Sequence, residues 1–303
     1  MTSPGRVFIG LILLAAILAG GAWLLQRGSY GWTLFVAVPF LLGVLAAWVL
    51  QPPKASTAAL YGAEASLFAA LSLLAVGAEG GICLLMALPL VTPLGAFGGW
   101  LTYQAREQNA ATGSLAMILL LPSASLTWDA AVKPPVFEVR SAIEVAATPE
   151  RVWKHVITFS DLPEPTEWFF RAGVAYPQRA RIVGSGVGAI RYCEFSTGPF
   201  VEPIRVWDEP RLLRFGVTAN PAPLQEWSPY GQISPKHLHG YLISKQGQFE
   251  LTPLPNGHTL LAGTTWYQHG FWPAQYWRWW SDAIIHRIHL RVLNHIKTLA
   301  EGS

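Results

Sequence analysis

Between Val7 and Pro53 the chain carries one charged side chain, Arg27. It separates two uncharged runs, Val7–Gln26 and Gly28–Pro53, and each can cross a hydrocarbon core that needs about 20 residues. This limits the fold more than any other feature. In lipid the backbone polar groups must be satisfied within the segment, and a run of this kind does so as a helix. The pattern continues downstream. Ala55–Ala78 is rich in Ala and Leu but contains Glu64; Gly80–Ala105 is uncharged; Gln108–Trp128 is uncharged and interrupted by Pro122. Trp32, Trp48, Trp100 and Trp128 fall near run ends, where an aromatic belt sits. Residues 1–128 therefore read as an all-α transmembrane bundle of about five helices, or four if Gln108–Trp128 lies at the surface. More spans follow the first run and no small-residue cleavage site separates them, so the first run reads as a span and not a signal peptide.

With the N-terminus inside, Arg6, Lys54 and Arg106 fall on the cytoplasmic side and Arg27 and Glu79 on the other, which satisfies the positive-inside bias. Five spans then deliver the C-terminal half to the outer, periplasm-like face of a bacterial-type inner membrane. Glu64 is the one ionisable group within a span. Such groups are costly and often functional, but no second intramembrane charge forms a relay, which disfavours a pump or transporter. The plain reading is a carboxylate near the interface.

Composition changes after residue 128. The chain as a whole is only 13% charged, against about 25% in soluble domains, yet all eight histidines and most charges lie in the second half. The net charge of +3 is scattered, without the basic stripe that nucleic acid requires. Cys83 and Cys193 form no CxxC and no plausible pair, so neither a disulfide framework nor a cysteine-based zinc site is expected.

After a linker at Asp129–Pro135, residues 136–303 read as one folded domain. Phe137 opens a period-two stretch, FEVRSAIEVAA, that predicts a strand. Thr148 and Pro149 then suit the N-cap and first position of a helix whose apolar face is Val152, Trp153 and Val156. A short helical piece follows near Leu162–Phe170. Six strands are predicted at Arg179–Val183, Ile190–Phe195, Val201–Trp207, Leu212–Val217, Gly247–Thr252 and Thr259–Gln268, and a long helix from about Pro273 to Glu301. GSGVGAI (Gly184–Ile190) joins two strands with no helix after it, so it reads as a glycine-rich hairpin, not a phosphate cradle.

In IEVAATPERVWKHVITFSDLPE (Ile143–Glu164), GSGVGAIRYCEF (Gly184–Phe195), WDEPRLLRF (Trp207–Phe215), GQFELTPLPNGHTLLAGTTWY (Gly247–Tyr267) and the final helix, the chain resembles the START-like superfamily, also called SRPBCC. That superfamily includes polyketide cyclase/dehydratase-like and lipid-transfer proteins. The resemblance covers about residues 136–301 and implies an α+β helix-grip domain. Its common property is a cavity for apolar molecules between sheet and long helix, with no universal catalytic residue. Thr218–Leu242 has no obvious counterpart in a minimal fold of this kind and reads as a lid.

IIHRIHLRVLNHIK (Ile284–Lys297) places three histidines on the final helix. At about 100° per residue, His286 and His289 are roughly 60° apart and His295 lies near 180° from His286. One ion cannot take all three from one helix. A His286/His289 pair would need ligands elsewhere, such as His237, His239 or His269, and nothing in the sequence fixes that geometry; no metal and no cofactor are expected. The apolar stripe Trp277, Ile284, Ile288, Val292, Ile296 and Leu299 takes in His295 and leaves His286 outside. The expected cavity lining is Phe215, Phe249, Trp277, Ile284, Ile288, Val292 and His295. Tyr276 and Trp279 in WPAQYWRWW lie off the stripe, available to a bilayer surface.

The leading reading is a membrane-anchored domain that binds a hydrophobic or amphipathic small molecule of lipid or isoprenoid class, with the lipid bilayer and that ligand as partners and no nucleic acid. The alternatives are a cyclase/dehydratase-type enzyme drawing on Glu202, His295, Tyr192 or Arg191, and a sensor coupled to the membrane bundle. Adjacent strand residues face opposite ways, so Arg191 and Tyr192 do not both point inward.

Overall fold

The computed structural model describes residues 4–108 and 111–302, with the backbone alone over 111–119. The chain divides into two compact units. A helical unit holds Met1–Lys133 together with Glu226–His237 and Gly270–Pro273, and a sheet unit holds Pro134–Gln225, Leu238–His269 and Ala274–Ser303.

The helical unit runs α1 (Pro4–Arg27), a π turn (Thr33–Ala37) leading into α2 (Val38–Leu50), α3 (Ala55–Ala75), α4 (Gly81–Glu107) and α5 (Ala111–Ala131). Among the described residues, four helices are long and apolar enough to cross a membrane: Pro4–Arg27, Thr33–Leu50, Ala55–Ala75 and Gly81–Glu107. Part of the fifth apolar run, at 109–110, lies outside the described residues. Helix α5 continues through Asp129, where the composition had suggested a linker. The Asp129 carboxylate accepts hydrogen bonds from the backbone N–H groups of Trp32 (2.7 Å) and Thr33 (2.9 Å). These are free donors at a helix start, which an anion stabilises.

Helices α2, α3 and α4 pack through small residues. A Cβ at Gly43 or Gly62 would collide with the carbonyl of Gly95, and one at Gly95 with Ser66 and the Gly62 carbonyl. Close backbone approach at small residues is how helices associate where no hydrophobic force drives them together. Glu64 is exposed, whereas Glu79, in the loop between α3 and α4, is buried.

The sheet unit follows the sequence pattern closely: β1 (Val136–Val145), α6 (Pro149–Ile157), α7 (Trp168–Ala172), β2 (Pro177–Val183), β3 (Ile190–Phe195), β4 (Gly198–Asp208), β5 (Leu212–Gly216), β6 (Leu242–Pro253), β7 (Thr259–His269) and α8 (Ala274–Gly302). The described strands form one antiparallel sheet in the order β1-β7-β6-β5-β4-β3-β2. Register shifts interrupt β2, β4 and β6, and bulges of this kind bend and twist a sheet. Gly184, Gly186 and Gly188 all have positive φ in the β2–β3 hairpin, a geometry that favours glycine. Thr148 takes the N-cap backbone position of α6, and its carbonyl accepts from Val152 N–H at 3.1 Å, although its side chain makes no capping bond.

Helix α8 packs on β1, β7, β2 and α6. This is the helix-grip arrangement, two short helices after the first strand and a long last helix held by the sheet. The core combines Val145, Trp153, Leu213, Leu251, Leu261, Leu293 and Ile296, and each large aliphatic side chain buried here stabilises by about 1.5–3 kcal/mol. Trp277 is buried and Trp279 exposed.

Candidate functional site

Five chemically active side chains, scattered in the sequence, meet inside the helical unit. Helix α4 starts at Gly81, and its first N–H groups have no partner within the helix. The Glu226 carboxylate takes up two of them, accepting from Ile82 N–H (3.1 Å) and Cys83 N–H (3.2 Å). Gly81 N–H donates to the Trp227 carbonyl at 2.8 Å. A Cβ at residue 80 would strike the Glu226 side chain, so any larger residue there would push that carboxylate off the helix start. This anchoring fixes Glu226 beside His237, whose Nε2 lies 3.4 Å from Glu226 Oε1.

On its other side, His237 Nδ1 lies 3.2 Å from Glu79 Oε2. Tyr30 OH donates to the second oxygen of Glu79 at 2.6 Å. The Tyr30 ring meets the His237 ring edge-on at 5.2 Å between centroids, and Phe271 packs against both, 6.1 Å from His237 and 5.8 Å from Tyr30. Tyr30, Glu79, Cys83, Glu226 and His237 are each at most 5% exposed. One oxygen of Glu79, Cys83 Sγ and one ring nitrogen of His237 lie within 4.8 Å of one another. Burial works against charge on His237, but Cys83, Glu226 and Glu79 outweigh it and push its pKa up to about 12. Burial, then Glu79, raises that of Tyr30.

A cavity of 190 Å³ adjoins this cluster within the same unit. Its walls are apolar side chains of α1 to α4, among them Leu18, Leu34, Leu42, Ala70, Leu73 and Val91. Its serines are spent on backbone carbonyls: Ser66 Oγ donates to Pro39 O (3.2 Å) and Ser72 Oγ to Ala69 O (2.7 Å). The other polar lining groups are Tyr30, Glu79 and Cys83. The cavity thus has apolar walls and one polar end.

In the sheet unit the histidines distribute differently from the apolar stripe drawn on the sequence. The buried face of α8 is Trp277, Ile285, Val292, Leu293, Ile296 and Ala300, while Ile284, Ile288 and Leu299 are half-buried. His289 is the histidine turned to the sheet. Its Nε2 lies 2.8 Å from Thr265 Oγ1 and its Nδ1 3.1 Å from Ser141 Oγ, which in turn lies 2.7 Å from His286 Nδ1. His295 sits at the flank, with Nε2 3.2 Å from the Ser160 carbonyl. An apolar-only stripe overlooked that β1 and β7 offer two inward hydroxyls, which satisfy a histidine on the inner face. Burial, with His286 adding to it, lowers the His289 pKa to about 4.

Phe215, Phe249 and Val292 join one packed cluster. Arg191 lies among them, its guanidinium 5.5 Å from the ring centroids of Phe159, Phe215 and Phe249. It is paired with buried Glu202 and donates through Nε to the Ile157 carbonyl at 3.3 Å. Burial alone would lower the Arg191 pKa, but Glu202 reverses this and raises it, while burial raises that of Glu202 against the pull of Arg191. Tyr192 points away and stacks under Arg181 at 4.3 Å. An arginine with a permanent charge is no acid–base partner for Glu202; the pair is an anchor in an apolar interior.

No family model matches the chain, and no curated protein does. Among solved structures it is similar to truncated norcoclaurine synthase from Thalictrum flavum, at 14% identity and TM-score 0.35 over 55% of this chain and 95% of that one. The Zhui aromatase/cyclase from Streptomyces sp. R1128 matches at 14% identity and TM-score 0.34, over 55% and 94%. Ara h 8.0201 matches at 11% identity and TM-score 0.35, over 56% and 100%.

The sequence reading missed Glu79, Cys83 and Glu226 as site residues and weighed His237 only as a distant ligand for α8. Glu79 and Cys83 are four residues apart, one helical turn, and that spacing was the available signal. Their partners arrive from the segment read as a lid, more than 140 residues later.

Proposed function

We propose that this protein is anchored in a membrane and binds a hydrophobic or amphipathic small molecule, of lipid or isoprenoid class, in the cavity of its helical unit. The carrying observation is the shape of that cavity: 190 Å³ with apolar walls and Tyr30, Glu79 and Cys83 at one end. A dry engineered cavity of about 150 Å³ accepts benzene, so this one has room for a small apolar body, and its polar end suits a head group. Membrane residence is supported by the outward faces of the helices, where Phe8, Leu11, Leu60, Phe68 and Leu85 are all exposed. In water an apolar surface of this kind is a liability.

An N-inside orientation accords with the charges of the helical unit. Arg106 donates to the Pro52 carbonyl at 2.8 Å and Arg6 lies over Trp48 at 5.9 Å, which gathers Arg6, Lys54 and Arg106 at one end of the bundle. If α5, whose Asp129 reaches Trp32 and Thr33 at the opposite end, serves as a fifth crossing, the sheet unit lies on the extracytoplasmic side. A reporter fused after Ser303 and active only outside the cytoplasm tests this, and activity solely from a cytoplasmic reporter refutes it.

A second place for the same ligand is the helix-grip interior, favoured by the Arg191–Glu202 pair set among Phe159, Phe215 and Phe249 as a polar anchor. One experiment separates the two. The full chain is purified in mild detergent and its co-purifying apolar molecules are identified by mass spectrometry, in the natural protein, in Ala70→Trp and in Val292→Trp. The helical-unit reading expects one enriched compound that Ala70→Trp excludes and Val292→Trp retains. The reverse pattern moves the site to the helix-grip interior, and an extract no different from bulk lipid in all three refutes binding.

A further inference from the structure

We propose that Glu79, Cys83 and His237 bind a divalent transition-metal ion of the zinc class, with Glu226 and Tyr30 orienting the ligands. Oxygen, sulfur and nitrogen donors of these kinds, each from one side chain, are the usual zinc set, and three protein ligands leave a fourth position for water or a bound molecule.

The separations suit one ion. Zinc bonds of about 2.0–2.3 Å place two ligand atoms of a tetrahedral site roughly 3.3–3.7 Å apart. Glu79 Oε2 and His237 Nδ1 are 3.2 Å apart, and Cys83 Sγ lies within 4.8 Å of a ligand atom of each residue, so the sulfur would close in by up to about 1 Å on binding. Alignment provides the independent sign. Glu79 Oε2 and both ring nitrogens of His237 are buried, yet none makes a well-directed hydrogen bond. They approach one another at ion-pair distance without aiming donor at acceptor, as ligands converging on a shared point do. Buried polar groups left in this condition are otherwise costly.

The supporting atoms are also placed for a metal. Tyr30 holds Oε1 of Glu79 and leaves Oε2 to ligate. Glu226 faces Nε2 of His237 and leaves Nδ1 to ligate. A carboxylate behind a ligating histidine fixes its tautomer and raises its basicity, and losing such a partner costs about 10–100-fold in metal affinity. Glu226 is itself held by the backbone N–H groups of Ile82 and Cys83, the latter a ligand residue. Because Glu79, Cys83 and Tyr30 also line the apolar cavity, the fourth position of the ion borders it, where it would meet the head group of a bound molecule.

Full-length protein in detergent, stripped of metal with a chelator, is titrated with Co²⁺ and then Zn²⁺. The expected result is one Co²⁺ per chain, with a thiolate-to-cobalt charge-transfer band in the near ultraviolet that Zn²⁺ displaces. Cys83→Ser removes the band and Cys193→Ser retains it, while Glu226→Gln keeps the band with affinity lowered about 10–100-fold. X-ray absorption of the natural protein with Zn²⁺ needs no variant to fold: it should show one sulfur at about 2.3 Å and nitrogen or oxygen at about 2.0–2.2 Å. Failure to take up either ion, or a zinc shell without sulfur, overturns the proposal, as does a band that survives Cys83→Ser or is lost in Cys193→Ser. A protein that takes up neither ion yet still holds an apolar molecule would overturn the metal and leave the proposed function standing.

Discussion

Replacing His289 with glutamine should remove a defined part of the acid sensitivity of the contact between α8 and the sheet, beside the smaller parts due to His155 and His295. His289 titrates near 6.5 when unfolded and is lowered to about 4 in the folded chain by burial, with His286 contributing. As pH falls through this window the unfolded chain takes the proton first, so stability is fully present above pH 6.5 and is lost on the way down to 4. The difference of roughly 2.5 pH units corresponds to about 3 kcal/mol at the acid end. The physical cause is local. Thr265 Oγ1 and Ser141 Oγ occupy the two ring nitrogens, and His286 faces the same serine, so a second proton meets an apolar surround and a neighbouring imidazole. Glutamine gives up one or both hydroxyl contacts, at about 0.5–1.5 kcal/mol each, but that loss does not vary with pH. The slope is therefore the readout. Hydrogen–deuterium exchange of β1, β7 and α8 peptides in detergent, corrected for intrinsic rates, gives the opening free energy from pH 7.5 to 4. The natural protein should lose about 3 kcal/mol more across that range than His289→Gln does. Parallel profiles, or stability that rises as pH falls, would refute the reasoning.

Leu293→Ala, at a fully buried position, should cost the sheet unit about 2–5 kcal/mol by leaving a cavity, measured by the same exchange at pH 7.5. Arg191→Met alone should cost about 3–5 kcal/mol by leaving Glu202 charged and buried, and Arg191→Met with Glu202→Leu should recover most of it; a double variant no better than the single would count against an ionic pair. Gly95→Leu should break the α2–α3–α4 crossing, because even a Cβ there meets Ser66 and the Gly62 carbonyl, and the protein should elute as an aggregate in detergent while Gly20→Leu, whose added Cβ meets nothing within 4 Å, remains monodisperse.

The elements were legible where one rule governs a stretch. Period-two alternation from Phe137 yielded β1, and Thr148-Pro149 marked the start of α6. The apolar run after Gly80 yielded α4. His289 was misjudged because hydropathy along one helix carries no record of what the sheet opposite offers; Ser141 and Thr265 decide which histidine turns inward. The cluster at Glu79 was illegible for a related reason. Its charge sits in a short loop, where solvation is the ordinary outcome, and Glu226 and His237 are brought to it by tertiary structure. Asp129 misled in the same way: a charge that ended an apolar run was taken for a linker, and it caps the start of another helix.

The most direct test of the central claim is photolabelling with an alkyl diazirine probe on the full chain in lipid nanodiscs, followed by peptide mapping. Binding in the helical-unit cavity should place saturable labels on its wall, at residues such as Leu34, Leu42, Ala70 and Leu84, and Ala70→Trp should abolish them. Labels that never saturate and stay on the outward side chains Phe8, Leu60, Phe68 and Leu85 would contradict the claim.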